Sequence, residues 1–284
     1  MNMLDPQWLD AQYNNRARIP EHPELFARWR KASAAALAGS PGARLDVAYG
    51  SQPTQTLDVF PAALPGAPVL VFIHGGYWRS LDKADHSFIA PSFVADGATV
   101  VVPNYSLCPA ASIEDIALEM TQVVAWVHRH AGSFGADPSR IALAGHSAGG
   151  HLAAMLLCCR WKDVDAALPL QPLLGALSIS GLYDLEPLRH TPFIQADLRL
   201  TARSANRLSP AFFARPKRPL YTVAGGLESD EFLRQNLLIR DQWGPTTVAV
   251  CETLAGANHL DILNNLADPQ GRLHDLALRL LGLR

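Results

Sequence analysis

Ile141-Ala142-Leu143-Ala144-Gly145-His146-Ser147-Ala148-Gly149-Gly150 decides the reading of this chain. An apolar run ends in G-x-S-x-G and passes into small residues. The run predicts a strand buried on both faces, and the residues from Gly150 onward predict a helix. A serine between them must sit on a sharp, strained turn with its hydroxyl projecting from the sheet edge. Glycine at both ends removes the Cβ atoms that would clash in such a turn. The helix N-terminus then faces the serine and favours negative charge developing there. The plainer reading is a Gly-rich turn with an incidental serine. A strand directly before the motif and a helix directly after it argue against that.

On either side of this turn, strand-like and helical stretches alternate. Strand-like runs fall at 44–49, 55–60, 69–73, 99–102, 140–144, 176–180, 220–224 and 246–252. Helical spacing falls at 84–96, 113–130, 151–159, 231–243 and 268–283. Such alternation predicts βαβ units, hence an α/β fold with a mostly parallel central sheet and helices on both faces. Residues 1–40 read as a helical segment, with Leu25, Phe26, Trp29 and Ala32 at helical spacing and Gly39-Ser40-Pro41-Gly42 ending it. Residues 187–219 are a longer excursion and a candidate cap insertion. One domain spanning 1–284 is expected.

Composition removes several function classes. The 284 residues carry 24 Lys+Arg against 26 Asp+Glu, a net charge of −2. There is no basic excess to neutralise phosphates, so no nucleic-acid partner is expected. Hydrophobic residues make up 49% and charged residues 18%, enough for a core and too apolar for disorder. The longest apolar stretch, 141–159, is interrupted by His146 and His151, so no membrane span is expected. The start, MNMLDPQWLD, has acids where a signal peptide has basic residues and an apolar run. The four cysteines lack zinc-site or disulfide spacing. Together these predict a cytoplasmic protein with reduced thiols, and Cys158 and Cys159 are expected to pack behind the turn. His146 and His151 do not align on one helix face, and neither H-E-x-x-H nor G-x-x-x-x-G-K occurs. No metal and no organic cofactor are expected.

A serine hydroxyl becomes a nucleophile when a positioned base takes its proton. In a strand–turn–helix context the order is serine, then acid, then histidine. His259, in a loop after the 246–252 strand, is the candidate base; His274 reads as a surface residue of the last helix. The acid candidates are Glu228 and Asp230, after the 220–224 strand, and Asp184. Residue type and position favour Glu228 only slightly, since Asp230 suits the start of the next helix. His74-Gly75-Gly76-Tyr77-Trp78 follows a buried strand. Backbone N–H groups of Gly75, Gly76 or Tyr77, with that of Ala148, would form an oxyanion hole. His74 is expected to brace this loop. Tyr77, Trp78 and Tyr183 are candidate aromatic substrate contacts, with core packing as the alternative. Arg79 is a candidate for a substrate carboxylate, with an ordinary salt bridge as the alternative.

These residues resemble the kynurenine formamidase (arylformamidase) family of the α/β-hydrolase superfamily, over most of the chain. Gln12-Tyr13-Asn14-Asn15-Arg16 is similar to the family's start, and His74-Gly75-Gly76-Tyr77-Trp78 to its H-G-G-x-W signature. Ser180-Gly181-Leu182-Tyr183-Asp184-Leu185-Glu186-Pro187, Leu208-Ser209-Pro210, Glu228-Ser229-Asp230-Glu231-Phe232 and Asn258-His259-Leu260-Asp261 resemble later segments. Glu228 falls where the family carries its acid, usually Asp, which leaves Asp230 open. Leu260 stands where an aromatic residue is common. The resemblance implies an α/β-hydrolase that cleaves N-formyl-L-kynurenine to L-kynurenine and formate, with Ser147 as nucleophile and His259 as base. It implies a small-molecule substrate, and a homodimer is compatible with it. A carboxylesterase for short acyl esters is the alternative, and a non-catalytic binding module a more distant one.

Overall fold

The computed structural model describes residues 5–284. Its strands are β1 (Arg44–Ala48), β2 (Thr56–Phe60), β3 (Ala67–Ile73), β4 (Thr99–Pro103), β5 (Ala136–His146), β6 (Leu173–Ile179), β7 (Leu220–Gly225) and β8 (Val250–Leu254). They form one sheet in the order β1-β2-β4-β3-β5-β6-β7-β8. β2 runs antiparallel to both its neighbours, and every other pairing is parallel. The helices are α1 (Pro6–Tyr13), α2 (Asn15–Arg18), α3 (His22–Ala38), α4 (Ala90–Ala95), α5 (Ile113–His130), α6 (Ala148–Leu157) and α7 (Trp161–Val164). They continue as α8 (Glu186–Arg189), α9 (Pro192–Leu198), α10 (Ala202–Arg207), α11 (Asp230–Trp243), α12 (Ile262–Ala267) and α13 (Arg272–Leu281).

The period of two along a strand divides the core into two layers. Val69, Val71 and Ile73 of β3 face one cluster, with Ile116, Met120 and Val124 of α5 and Leu152 of α6. Leu70 and Phe72 face the other, with Phe93 of α4, Leu263 of α12 and Leu276 of α13. All residues of β3 and β4 are buried, which is why these strands read as unbroken apolar runs. A Ser112–Asp115 capping box starts α5.

The N-terminal segment and the insertion between β6 and β7 meet. α1 packs on α8, α9 and α11. Tyr13, fully buried, donates its hydroxyl to Glu231 Oε2 (2.6 Å), and its carbonyl accepts from the Tyr77 hydroxyl (2.7 Å). Phe193 N–H donates to Asp10 Oδ1 (3.0 Å). These bonds tie residues 5–18 to the loop after β3 and to the insertion.

Several expected elements differ. Residues 84–96 do not form one helix: two 3-10 turns precede α4, which starts at Ala90 with Pro91 in its first turn. Pro91 lacks the N–H that a continuous helix would need, so a helix can start there but not run through it. β8 begins at Val250, because Thr247 and Val248 fold back to bond the Gly244 carbonyl. The last helix starts at Arg272, after Pro269, and α12 precedes it unforeseen. α3 buries Leu25, Trp29, Ser33 and Ala36, leaving Ala32 exposed. His274 is fully buried, its Nε2 2.7 Å from Asp96 Oδ2 and its ring stacked on Phe93, not on the surface.

Candidate active site

β5 ends at His146 and α6 begins at Ala148, so Ser147 alone makes the turn, with φ 56° and ψ −116°. That conformation is costly for a residue with a Cβ, and the surrounding bonds hold it. Ser147 N–H donates to Ile179 O (2.8 Å), and its carbonyl accepts from His151 N–H (3.1 Å). The flanking glycines leave no room for a side chain. A Cβ on Gly145 would lie 2.1 Å from Gly149 O, and one on Gly149 2.0 Å from Ile73 O.

His259 Nδ1–H donates to Glu228 Oε2 at 2.6 Å, with both side chains almost wholly buried. The other oxygen, Oε1, accepts from Ser180 Oγ (2.5 Å) and from Gly225 N–H (2.6 Å). These three donors fix the carboxylate and hold its charge in a buried place. They also set the imidazole tautomer, leaving Nε2 as an acceptor. The Phe232 ring lies 4.4 Å from the His259 ring. The other acid candidates stand elsewhere. Asp230 is exposed in the first turn of α11, whose N-cap is Ser229, and Asp184 lies 3.6 Å from Arg234.

The loop after β3 is built from left-handed residues. Gly76, Tyr77 and Trp78 have φ of 101°, 51° and 55°. At Gly76 a Cβ would also lie 2.1 Å from Ser80 O, so only glycine fits. The His74 ring braces the loop through Gly75 O (2.8 Å) and Asn104 Oδ1 (3.2 Å), and it stacks on Tyr105. Among the described residues, the N–H groups of Gly75, Gly76, Tyr77 and Ala148 donate to no acceptor in the chain. Gly76 and Tyr77 line the same cavity as Ser147 and His259.

Two of the three aromatic candidates do not reach this cavity. Trp78 is fully buried, edge-on to the His151 ring. Tyr183 is fully buried beneath α11, its hydroxyl donating to Ser178 Oγ (2.7 Å). Both are core residues, which corrects the expectation. In their place Phe26 and Phe193 join Tyr77 on the cavity wall. Asn14, Asn15 and Arg16 also line it. Sequence reasoning missed these as site residues. The Gln12–Arg16 motif was their signal; nothing in the sequence marked Phe193. Arg79 pairs with Asp197 and also donates to Phe193 O (3.0 Å), so the salt-bridge alternative describes it.

The BD-FAE family model matches residues 57–168. The kynurenine formamidase of Danio rerio is 30% identical over 84% of this chain and 82% of its own length. This chain belongs to the kynurenine formamidase family. The Salmo salar kynurenine formamidase is 26% identical over 98% of this chain and 96% of its length. Among solved structures, a candidate thioesterase from Silicibacter sp. tm1040 superposes with a TM-score of 0.81 at 29% identity, covering 93% of this chain and 97% of that one. The chain is a hydrolase with the α/β-hydrolase fold. Among the described residues no helix is long and apolar enough to cross a membrane.

Around the site this formamidase-family chain buries four histidines whose protonation burial opposes. Burial lowers His74, lowers His86 to about 3 and lowers His151 to about 4, from an ordinary 6.5. His146 is pushed well below 6.5 by burial and then by the neighbouring His259, while its Nε2–H donates to His259 O (2.7 Å). Below pH 6.5 the unfolded chain binds protons that the native state refuses. Stability is therefore present above 6.5 and is lost as pH falls toward about 4. The slope approaches about 1.4 kcal/mol per pH unit for each such histidine. Urea unfolding midpoints are expected to fall steadily from pH 7 to pH 5; a flat profile would contradict this.

Proposed function

We propose that this chain hydrolyses aryl formamides, N-formyl-L-kynurenine foremost, to the arylamine and formate, as in tryptophan breakdown. The observation that carries the reading is the His259–Glu228 contact beside Ser147, in a cavity walled by Phe26, Tyr77 and Phe193. Ser147 Oγ attacks the formyl carbon while His259 Nε2 takes its proton. Glu228 holds the imidazole and offsets the charge it gains. The tetrahedral oxyanion accepts from the free N–H groups of Ala148 and of Gly75 or Gly76. His259 then gives its proton to the departing nitrogen, the C–N bond breaks, and Ser147 carries a formyl ester. Water, deprotonated by His259, releases formate and restores the serine.

The same machinery would cleave an ester or thioester, and the likeness to the Silicibacter protein favours that as the second reading. The test is kcat/KM for N-formyl-L-kynurenine against 4-nitrophenyl acetate, because that ratio reports differential transition-state binding. A preference for the formamide is expected. Ester turnover without formamide turnover would move the function to a carboxylesterase. The four unbridged cysteines suit a reducing compartment, and the cytoplasm is the setting we infer.

A further inference from the structure

The cavity holds two arginines, and only one of them is neutralised. Arg79 is paired with Asp197. Arg16 stands at the solvent-exposed rim, 5.5 Å from the centre of the Phe26 ring, and its Nη2 donates to Ser80 Oγ (3.1 Å). Among the described residues no carboxylate lies within ion-pair distance of it. Burial, with the nearby Arg79 charge, lowers the Arg16 pKa, so the two cations feel each other. A guanidinium presents a planar fork of donors matched to a carboxylate.

The next residue supplies an independent observation. Asn15 is more than nine-tenths buried, lines the same cavity, and leaves its Nδ2 donor without a partner. A buried donor left unmet is costly, and a ligand acceptor would satisfy this one. Asn15 also lines a second cavity, on the Glu228 side of His259. A cation without a carboxylate partner and an unmet donor thus belong to neighbouring residues that line the same cavity as Ser147.

We propose that Arg16 and the Asn15 amide form a carboxylate receptor, so that this enzyme prefers substrates bearing a carboxylate on the leaving group. The inference rests on the formamide reading, in which a formyl acyl group offers nothing to recognise and the amine carries all the selectivity. The motif Asn14-Asn15-Arg16 is held at the cavity from the N-terminal end of α2, where the Tyr13 carbonyl accepts from the Tyr77 hydroxyl and the Asn14 side chain caps the helix.

The test compares N-formyl-L-kynurenine with its carboxamide, in which only the carboxylate is replaced by an uncharged amide, on wild type and on Arg16→Gln, Arg16→Lys and Asn15→Ala. Wild type is expected to favour the carboxylate by about tenfold, the scale of one charge-assisted hydrogen bond at a partly exposed place. Arg16→Gln is expected to erase most of that preference, chiefly through KM for the carboxylate substrate. Arg16→Lys should keep part of it, and Asn15→Ala should reduce it. Equal turnover of the two formamides by wild type, or equal losses on both in Arg16→Gln, would overturn the receptor while leaving the formamide reading intact. No turnover of either formamide would overturn both together. The wild-type comparison stands even if a variant fails to fold.

Discussion

Ser147→Ala is expected to reduce kcat/KM on any substrate by roughly ten-thousand- to million-fold, the range found when an acyl-transfer serine is removed. The fold should hardly respond. Ser147 is held by backbone bonds to Ile179 and His151, and neither uses the hydroxyl. Alanine keeps the Cβ and therefore the strain of φ 56°. Ser147→Gly separates the two effects. It loses the same activity, but glycine accepts a positive φ freely. Relief of that strain is worth about 1–3 kcal/mol, less the extra freedom glycine gives the unfolded chain. Ser147→Gly is thus expected to melt higher than Ser147→Ala while both are inactive. Thermal unfolding and kcat/KM on the two variants check this. Residual activity near wild type in Ser147→Ala would remove Ser147 from the mechanism. A Ser147→Gly that melts lower would show that the turn is not under strain.

This turn was readable because the restraints on it are local. A strand buried on both faces, a glycine pair that cannot carry Cβ atoms and a helix start all fall within ten residues. The H-G-G loop was readable for the same reason. The misses have the opposite character. His274 looks like a surface residue until Asp96, 178 positions away, supplies its partner. Trp78 and Tyr77 are neighbours in a left-handed stretch, and only the packed loop decides that Tyr77 faces the cavity while Trp78 turns inward to His151. Tyr183 is claimed by Ser178 and by the Gln235 side chain, which accepts from its N–H. The cavity wall from Asn14 to Phe26 comes from a segment more than 120 positions before the serine. No periodicity could have placed it there.

The acid shows the same limit most sharply, and it yields the second large effect. Glu228 and Asp230 follow one strand, two positions apart, and either type serves. What separates them is a pair of donors to Oε1: Ser180 Oγ, at the end of β6, and the Gly225 N–H. Those donors make Glu228→Gln informative. The glutamine carbonyl must occupy the Oε1 place, because the Gly225 N–H cannot rotate to accept. Its NH₂ then faces His259 Nδ1, which becomes the acceptor. The imidazole proton is forced onto Nε2, and Nε2 can no longer take the proton of Ser147. The side chain keeps its volume and most of its bonds, so the loss falls on chemistry: kcat is expected to drop roughly a thousand- to ten-thousandfold. Asp230→Asn, altering an exposed residue of the first turn of α11, should leave kcat near wild type. Glu228→Asp keeps the charge but withdraws it by one methylene from a contact of 2.6 Å, and should fall between the two. A wild-type rate in Glu228→Gln, or a collapse in Asp230→Asn, would transfer the role away from Glu228.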